Sequence, residues 1–212
     1  MRIVGGPVGW LGPDAMEACR ELLAAGESAL MVHRPGPTVA FSARDENDPL
    51  YPAAVAAAER AGYAPVKRLA GGKVVAYDEG CVVVDVVGPR AEGSIEIDQR
   101  FVDLGGRILK VLHGLGVPAQ VGEVPGEYCP GPHSINVGGT AKVVGTAQRV
   151  TRRAWLFSAV VVVRRSPGLA RALDDVQAAL ARPWVPSTLG ALTDFAPVTE
   201  DEVAAGLVAG LG

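Results

Sequence analysis

Residues 126–149 read GEYCPGPHSINVGGTAKVVGTAQR, and this stretch decides both the predicted fold and the predicted chemistry. It opens with a turn of proline and glycine that carries Cys129, and it continues into two short apolar runs that predict strands. Lys142 follows Cys129 by thirteen positions, on a predicted strand that ends at Gly145. A nearby ammonium group favours ionisation of a thiol, and the thiolate is the nucleophile. Cys129 and Lys142 are therefore the predicted catalytic pair.

The composition is that of a globular protein with a full hydrophobic core, since 49% of the 212 residues are hydrophobic. The net charge of −3 provides no positive field for nucleic acid, and we expect no nucleic-acid partner. No apolar run approaches the roughly 18 residues of a membrane span, and the N-terminal residues lack the apolar segment of a signal peptide. The three cysteines are too few for a disulfide scaffold. We therefore expect a cytoplasmic protein without membrane association.

The pattern of apolar residues predicts an α+β fold. The predicted helices span 14–25, 48–61, 98–115, 166–180 and 199–211, and the predicted strands span 29–33, 38–42, 64–68, 73–77, 81–87, 119–124, 134–137, 141–144 and 155–163. Because several strands follow one another without an intervening helix, we expect a mixed, mostly antiparallel sheet flanked by helices. The strand 155–163 is apolar except for Ser158, as is typical of a central buried strand. No repeat or long linker divides the chain, so we expect a single domain.

Turn signals between the strands predict tight connections. Residues 34–37 read RPGP and indicate a hairpin between the second and third elements. Gly71 and Gly72 indicate another tight turn, and so does the segment 78–80. Ser166 and Thr199 precede helical patterns and are expected to cap them.

The segment 68–80 reads RLAGGKVVAYDEG and has features of a ligand-binding loop. Glycines allow close approach of the backbone to a ligand, and free N–H groups there can hold an anion. Arg68 can supply charge to a carboxylate or phosphate. Asp78 is interpreted first as a turn residue and second as a residue that orients a ligand. No spacing of His, Cys and carboxylate residues is typical of a metal site, and we expect none.

Each candidate also has an ordinary interpretation. A lone cysteine such as Cys129 is often a small buried hydrophobe or a turn residue. Lys142 can be a solvated residue at a strand edge. The two glycines can form a turn and nothing more. Spacing alone leaves these alternatives open.

Taken together, the segments resemble the biotin/lipoate protein ligase family, in its lipoate and octanoate branch. Residues 68–80 are similar to the family's arginine, paired glycines, strand and aspartate, and residues 141–149 are similar to its lysine loop. The resemblance runs over most of the chain. It implies a catalytic domain with the class II synthetase-like fold of the biotinyl and lipoyl ligases, without a C-terminal accessory domain. It also implies that the substrate is bound by Arg68, Gly71, Gly72, Asp78, Ser134, Gly145, Thr146 and Ala147.

The Cys129-Pro130-Gly131 element, followed by Ser134, is similar to the cysteine-dependent octanoyltransferases and carrier-to-carrier amidotransferases. ATP-dependent ligases carry Gly-Arg-Asn-Asp before the lysine loop instead. The resemblance implies transfer of an octanoyl or lipoyl group to the lysine of a lipoyl carrier domain through a Cys129 thioester, with Lys142 contacting the acyl carbonyl. The expected partner is a glycine-cleavage H protein or the E2 domain of a 2-oxoacid dehydrogenase. No cofactor is expected, because the acyl donor is already activated.

Two alternatives follow from the same resemblance. The chain can be the core of an ATP-dependent lipoate-protein ligase, which would need ATP and Mg²⁺ and would form a lipoyl-adenylate. It can also be a non-catalytic paralogue that binds an acyl group or a carrier. A ligase would retain activity without Cys129, and a binding protein would form neither the thioester nor the adenylate.

Overall fold

The strand at 154–162 lies in the middle of the larger of two sheets, as its almost wholly apolar sequence predicts. The computed structural model describes residues 2–5, 12–90 and 97–212. The strands are β1 (Arg2–Gly5), β2 (Ala29–His33), β3 (Thr38–Phe41), β4 (Ala64–Lys67), β5 (Val75–Tyr77), β6 (Cys81–Pro89), β7 (Ala119–Val121), β8 (Ile135–Val137), β9 (Ala141–Val150) and β10 (Ala154–Val162). The α-helices are α1 (Gly12–Ala25), α2 (Ala43–Glu46), α3 (Tyr51–Arg60), α4 (Ile97–Gly114), α5 (Pro167–Ala179) and α6 (Glu200–Leu211).

The larger sheet has seven strands in the order β1-β2-β6-β10-β9-β8-β7, and all of its pairs are antiparallel except β1 with β2. The smaller sheet has three strands in the order β4-β3-β5, with one parallel and one antiparallel pair. The predicted α+β fold with a mixed, mostly antiparallel sheet is thus confirmed, and the strands divide between two sheets.

Both faces of the larger sheet are covered, which explains why its central strands β6 and β10 are apolar apart from Asp85 and Ser158. Alternate residues of β6 belong to different cores: Val82 and Val84 pack with α4 and α6, while Val83 packs with the smaller sheet and α5. Successive side chains of a strand point to opposite faces, so a strand between two cores has no polar face. The reactive residues described below lie on the side of the smaller sheet.

The predicted hairpins are wrong. Strands β2 and β3 follow one another but lie in different sheets, since β2 pairs with β1 and β6. The connection carries two prolines, Pro35 and Pro37, which lack the N–H groups that a hairpin ladder uses. The turn at 71–72 does not join neighbours either, because β3 lies between β4 and β5. The turn at 78–80 leads from the smaller sheet to the larger one.

Several boundaries differ from the prediction for identifiable reasons. Helix α3 begins at Tyr51 and not at Asp48, whose carboxylate instead accepts a hydrogen bond from the Leu50 N–H at 3.0 Å. Strand β9 continues past Gly145 to Val150, because its pairing with β10 extends that far. The caps at Ser166 and Thr199 are present as predicted.

The helices of the described segments are too short or too polar to cross a membrane.

Candidate active site

Cys129 lies in the irregular loop between β7 and β8 and is partly exposed. Its Sγ accepts a hydrogen bond from the backbone N–H of Lys73 at 3.2 Å. A Cβ on Gly72 would lie 3.3 Å from the same sulfur, and Gly72 has a φ of 97°, which favours glycine. The glycine segment, residues 71–73, therefore lies directly against the thiol, although Lys73 and Cys129 are 56 residues apart in the sequence.

Lys142 lies beneath the same loop, on β9, and is 2% exposed. Its Nζ donates a hydrogen bond to the carbonyl oxygen of Cys129 at 2.7 Å and lies 3.3 Å from Oε2 of Glu127. The ammonium also stands over the ring of Tyr128, 4.6 Å from its centroid. The structure thus brings Cys129 and Lys142 together through a hydrogen bond from the lysine to the backbone carbonyl of the cysteine.

The electrostatics of Lys142 reflect two opposed effects. Burial lowers the pKa of Lys142 below its usual value, because removal from water disfavours the ammonium form. Negative charge on the thiolate of Cys129 and on the carboxylate of Glu127 opposes that lowering of the pKa. Burial is the larger of the two effects, so the pKa of Lys142 stays below its usual value.

Glu127 is a functional candidate that the sequence reasoning missed. Its Oε1 accepts hydrogen bonds from Ser134 Oγ at 2.8 Å and from the Gly131 N–H at 3.0 Å, while Oε2 faces Lys142. One buried carboxylate thus closes the Cys129 loop at both ends and joins it to β9. The available signal was a lone acidic residue two positions before the cysteine, inside an otherwise uncharged turn.

A groove of about 290 Å³ opens at the thiol. Five of the predicted substrate residues line it together with Cys129: Gly71, Gly72, Ser134, Thr146 and Ala147. His133 and Phe101 also line the groove, and their rings stack with centroids 4.2 Å apart. The Oγ1 of Thr146 donates to the carbonyl of His133 at 2.9 Å, which fixes the β9 side of the groove to the cysteine loop.

Arg68 and Gly145 lie beside the groove without lining it. An Nη2 hydrogen of Arg68 is donated to the carbonyl of Gly71, so the guanidinium holds the glycine segment in place. A Cβ on Gly145 would lie 3.4 Å from Cε of Lys142 and 3.6 Å from the hydroxyl of Tyr128. Gly145 therefore leaves room for the lysine side chain.

Asp78 does not reach the groove, and its position gives no support to a substrate-binding role. Its Oδ2 accepts hydrogen bonds from Tyr63 at 2.7 Å and from Ser166, and its Oδ1 accepts one from the Gly80 N–H at 3.0 Å. These hydrogen bonds join the 78–80 turn to Ser166, the residue that caps α5. This agrees with the first interpretation of Asp78, as a turn residue.

A second pocket lies on the other side of the glycine segment and has basic walls. Its charged lining residues are Arg20, Arg44, Lys67, Arg68 and Arg149. Two of these cations are neutralised, because Arg20 pairs with Glu17 and Lys67 pairs with Glu46. Within the described segments, no three His, Cys or carboxylate side chains are grouped as metal ligands would be.

Comparison with known proteins identifies the family of the chain. A family model described as the lipoyl protein ligase A/B catalytic domain matches residues 17–211. An octanoyl-[GcvH]:protein N-octanoyltransferase of Geobacillus kaustophilus is 30% identical over 115 residues, which are 54% of this chain and 40% of that protein. The chain thus spans less than half the length of this curated relative.

Solved structures show the same fold. A lipoate-protein ligase A bound with ATP superposes with a TM-score of 0.73 at 22% identity, over 99% of this chain and 83% of that one. The bipartite lipoate protein ligase of Thermoplasma acidophilum, studied with its E2 lipoyl domain, gives a TM-score of 0.72 at 18% identity, over 99% and 81%. The resemblance predicted from the sequence is confirmed: the chain belongs to the lipoyl protein ligase A/B catalytic domain family.

Proposed function

We propose that this chain transfers an octanoyl or lipoyl group to the lysine of a lipoyl carrier domain, with Cys129 as the nucleophile. The observation that carries this proposal is the position of Cys129. Its thiol lies at the mouth of a groove against the Lys73 N–H, and its backbone carbonyl accepts a hydrogen bond from Lys142. The name of the Geobacillus relative, an octanoyltransferase acting on GcvH, supports the acyl class and the carrier.

In the first step, the thiolate of Cys129 attacks the carbonyl carbon of the donor's acyl group. A C–S bond to Cys129 forms, and the bond to the donor's leaving atom breaks, which is sulfur in a thioester or nitrogen in an acylated carrier lysine. The leaving atom takes a proton from the Lys142 ammonium, which becomes a neutral amine. The Lys73 N–H, already 3.2 Å from the sulfur, and the Lys142 ammonium are the donors available to the developing negative charge.

In the second step, the neutral amine of the acceptor's lysine attacks the thioester on Cys129. A C–N bond forms, the C–S bond breaks, and the Cys129 thiolate is regenerated. The proton that the acceptor amine loses goes to the neutral amine of Lys142, which restores the ammonium. Both steps exchange one acyl bond for another, so no nucleotide is consumed. The groove, lined mainly by uncharged residues, is where the donor and the acceptor lysine would enter in turn.

The acyl tail would enter a narrow cavity on the inner side of the 68–70 segment, between the two sheets. Valines of three strands line it: Val75, Val83 and Val160. Burial of hydrocarbon contributes about 0.8 kcal/mol per CH₂, which is enough to select a medium-length chain. The free volume is only about 40 Å³, so an entering chain must displace side chains such as those of Met16 and Leu69, which also line the cavity.

The basic pocket favours one alternative, an ATP-dependent lipoate-protein ligase. The guanidinium groups of Arg44, Arg68 and Arg149 would suit the phosphates of a nucleotide, as an ATP-dependent ligase requires. ATP would supply activation of a free acid at the carboxyl end, and these side chains would orient its phosphates. This alternative makes Cys129 dispensable, which the following experiment tests.

The test is transfer between purified carriers, followed by mass spectrometry of the acceptor. An octanoylated H protein and an unmodified E2 lipoyl domain are mixed with the protein in the absence of nucleotide. We expect octanoylated E2 domain with the wild type and with Cys81→Ala, which removes a buried cysteine elsewhere, and none with Cys129→Ala. Acylation that requires ATP and free acid, and that survives Cys129→Ala, would assign the ligase activity instead.

A further inference from the structure

The lysine of the acceptor has more protons to lose than Lys142 can take. A lysine side chain in water has a pKa of about 10.4, so the acceptor arrives at neutral pH as an ammonium ion, which has no lone pair for attack. Formation of the amide therefore removes two protons from its nitrogen. Lys142, left as a neutral amine by the first step, takes one of them. The other proton needs a separate acceptor at the groove.

His133 is the groove side chain whose chemistry suits this proton. Among the described residues that line the groove with Cys129, only His133 carries a basic nitrogen; the others have apolar, hydroxyl or amide side chains or none. A neutral imidazole accepts a proton at one of its two ring nitrogens and does so near neutral pH. The side chain is partly exposed, so a proton taken there can pass to water.

Two contacts hold His133 at the groove and leave its ring nitrogens free. The ring stacks on Phe101 of α4 at an interplanar angle of 8°, and Phe101 in turn makes an edge contact with the fully buried Phe157. The backbone carbonyl of His133 accepts the hydrogen bond from Thr146 of β9. Stacking uses the face of an imidazole, whereas its nitrogen lone pairs lie in the ring plane. Within the described part of the chain, no hydrogen bond occupies either ring nitrogen.

The rest of the groove suits the stem of a lysine and not its charge. Apolar side chains line much of it: Ile97, Phe101, Pro130, Pro132 and Val150. The methylene stem of a lysine packs along such a surface while its nitrogen reaches a polar group. No carboxylate belongs to the described lining, so no ion pair there favours the ammonium form. The groove therefore favours transfer of the proton from the entering ammonium to His133.

We propose that His133 is the general base that takes the first proton from the ammonium of the acceptor lysine. The neutral amine then attacks the thioester carbonyl, the C–N bond forms and the C–S bond to Cys129 breaks. Lys142 takes the second proton from the same nitrogen, and the imidazolium of His133 releases the first one to water. The proposal rests on the proposed function, since the thioester on Cys129 must form first.

The experiment separates formation of the thioester from its reaction with an amine. The protein is acylated with the N-acetylcysteamine thioester of octanoate, the excess donor is removed, and either an unmodified E2 lipoyl domain or hydroxylamine is added. Intact-protein mass follows both the gain and the loss of the octanoyl group. Hydroxylamine is uncharged at neutral pH, so it loses only the proton that Lys142 takes and needs no second base.

Two variants remove the base in different ways. His133→Gln removes the proton acceptor, and His133→Phe removes it while keeping an aromatic ring beside Phe101. Both should form the thioester and react with hydroxylamine at the wild-type rate, whereas transfer to the E2 domain should slow at least about 100-fold. His113→Gln is the matched control and should change none of the three rates, because His113 lies outside the groove, with Nε2 2.7 Å from the carbonyl oxygen of Ala119.

The possible failures are distinct. A smaller loss of transfer to the E2 domain in either variant would overturn this proposal and leave the proposed function intact. An equal loss toward hydroxylamine and the E2 domain, or a loss in formation of the thioester, would also overturn it, because His133 would then only shape the groove. If the wild type forms no thioester, the proposed function is wrong, and this proposal with it.

Discussion

Oε2 of Glu127 lies 3.3 Å from Nζ of Lys142, and both side chains are almost completely buried. The other oxygen of the same carboxylate holds Ser134 and the Gly131 N–H, so the ion pair and the shape of the Cys129 loop depend on one residue. Removal of either member of such a buried pair would leave the other charge without a counterion and destabilise the fold. The geometry of the candidate nucleophile is thus coupled to the charge state of the lysine beneath it.

Glu127→Gln should slow acyl transfer roughly 10- to 100-fold, because the loop hydrogen bonds can be kept while the charge that favours the Lys142 ammonium is lost. Removal of a carboxylate that raises the pKa of Lys142 should also move the alkaline limb of the pH–rate profile to lower pH. Rate measurements between pH 6 and about 10 check both effects. Glu123→Gln, an exposed carboxylate in the same connection, should leave the rate and the profile unchanged. An unchanged profile for Glu127→Gln would contradict the coupling.

Lys142→Met should destabilise the fold by about 3 kcal/mol, because it leaves the Glu127 carboxylate buried without a counterion. The double variant Glu127→Gln with Lys142→Met should recover most of that loss of unfolding free energy. Denaturant unfolding of the wild type, the two single variants and the double variant gives the interaction energy directly. Additive effects of the two substitutions would show that the pair does not interact.

Gly72→Ala should impair Cys129 acylation by at least about 10-fold, because the added methyl group meets the Cys129 sulfur and the Arg68 guanidinium at a φ of 97°. Gly131→Ala, in the cysteine loop, is the matched control, since a Cβ there would meet nothing within 4 Å. Intact-protein mass with an acylated donor measures the rate for both variants. Equal rates for the two would show that the glycine segment does not position the thiol.

Asp85→Asn should stabilise the protein at pH 8, by up to about 3 kcal/mol, since burial raises the pKa of Asp85 from its usual 3.8 to about 6. The raised pKa means that the folded state binds the proton more tightly. The stability that this protonation provides is fully present below about pH 4 and is lost as pH rises through 6. The advantage of the asparagine variant should therefore shrink between pH 6 and 4.

His33 acts in the opposite direction over a similar range of pH, because burial lowers its pKa from 6.5 to about 4, so stability falls as the pH drops below 6.5. His33 is common to the wild type and to Asp85→Asn, and its contribution cancels in their difference. Unfolding free energies at pH 8, 6, 5 and 4 test the prediction. A difference between the two proteins that stays constant across this range would contradict it.

Much of the fold could be predicted from the sequence because the signals are local. The periodic apolar face of α4, the caps of α5 and α6 and the largely apolar run of β10 each follow from neighbouring residues. The pairing of strands could not be predicted in the same way. A turn signal such as residues 34–37 reports a change of direction, whereas the choice of sheet depends on which distant faces must be covered.

The residues of the candidate site also fall into two groups, those that the sequence predicted and those that only the structure revealed. Cys129, Lys142 and the glycine segment could be predicted from residue type and spacing, together with a family resemblance. Glu127 and Asp85 could not, because their importance comes from burial and from partners supplied by distant strands. Asp78 shows the converse, since its carboxylate is consumed by structural hydrogen bonds from Tyr63, Ser166 and the Gly80 N–H.

The most direct test of the central claim is the intact mass of the protein after brief incubation with an octanoylated carrier, without nucleotide. We predict a mass gain of one octanoyl group on the wild type, released by hydroxylamine and absent from Cys129→Ala. A protein that acquires no acyl group under these conditions, yet acylates a carrier once ATP and free acid are supplied, would contradict the assignment of Cys129 as the nucleophile.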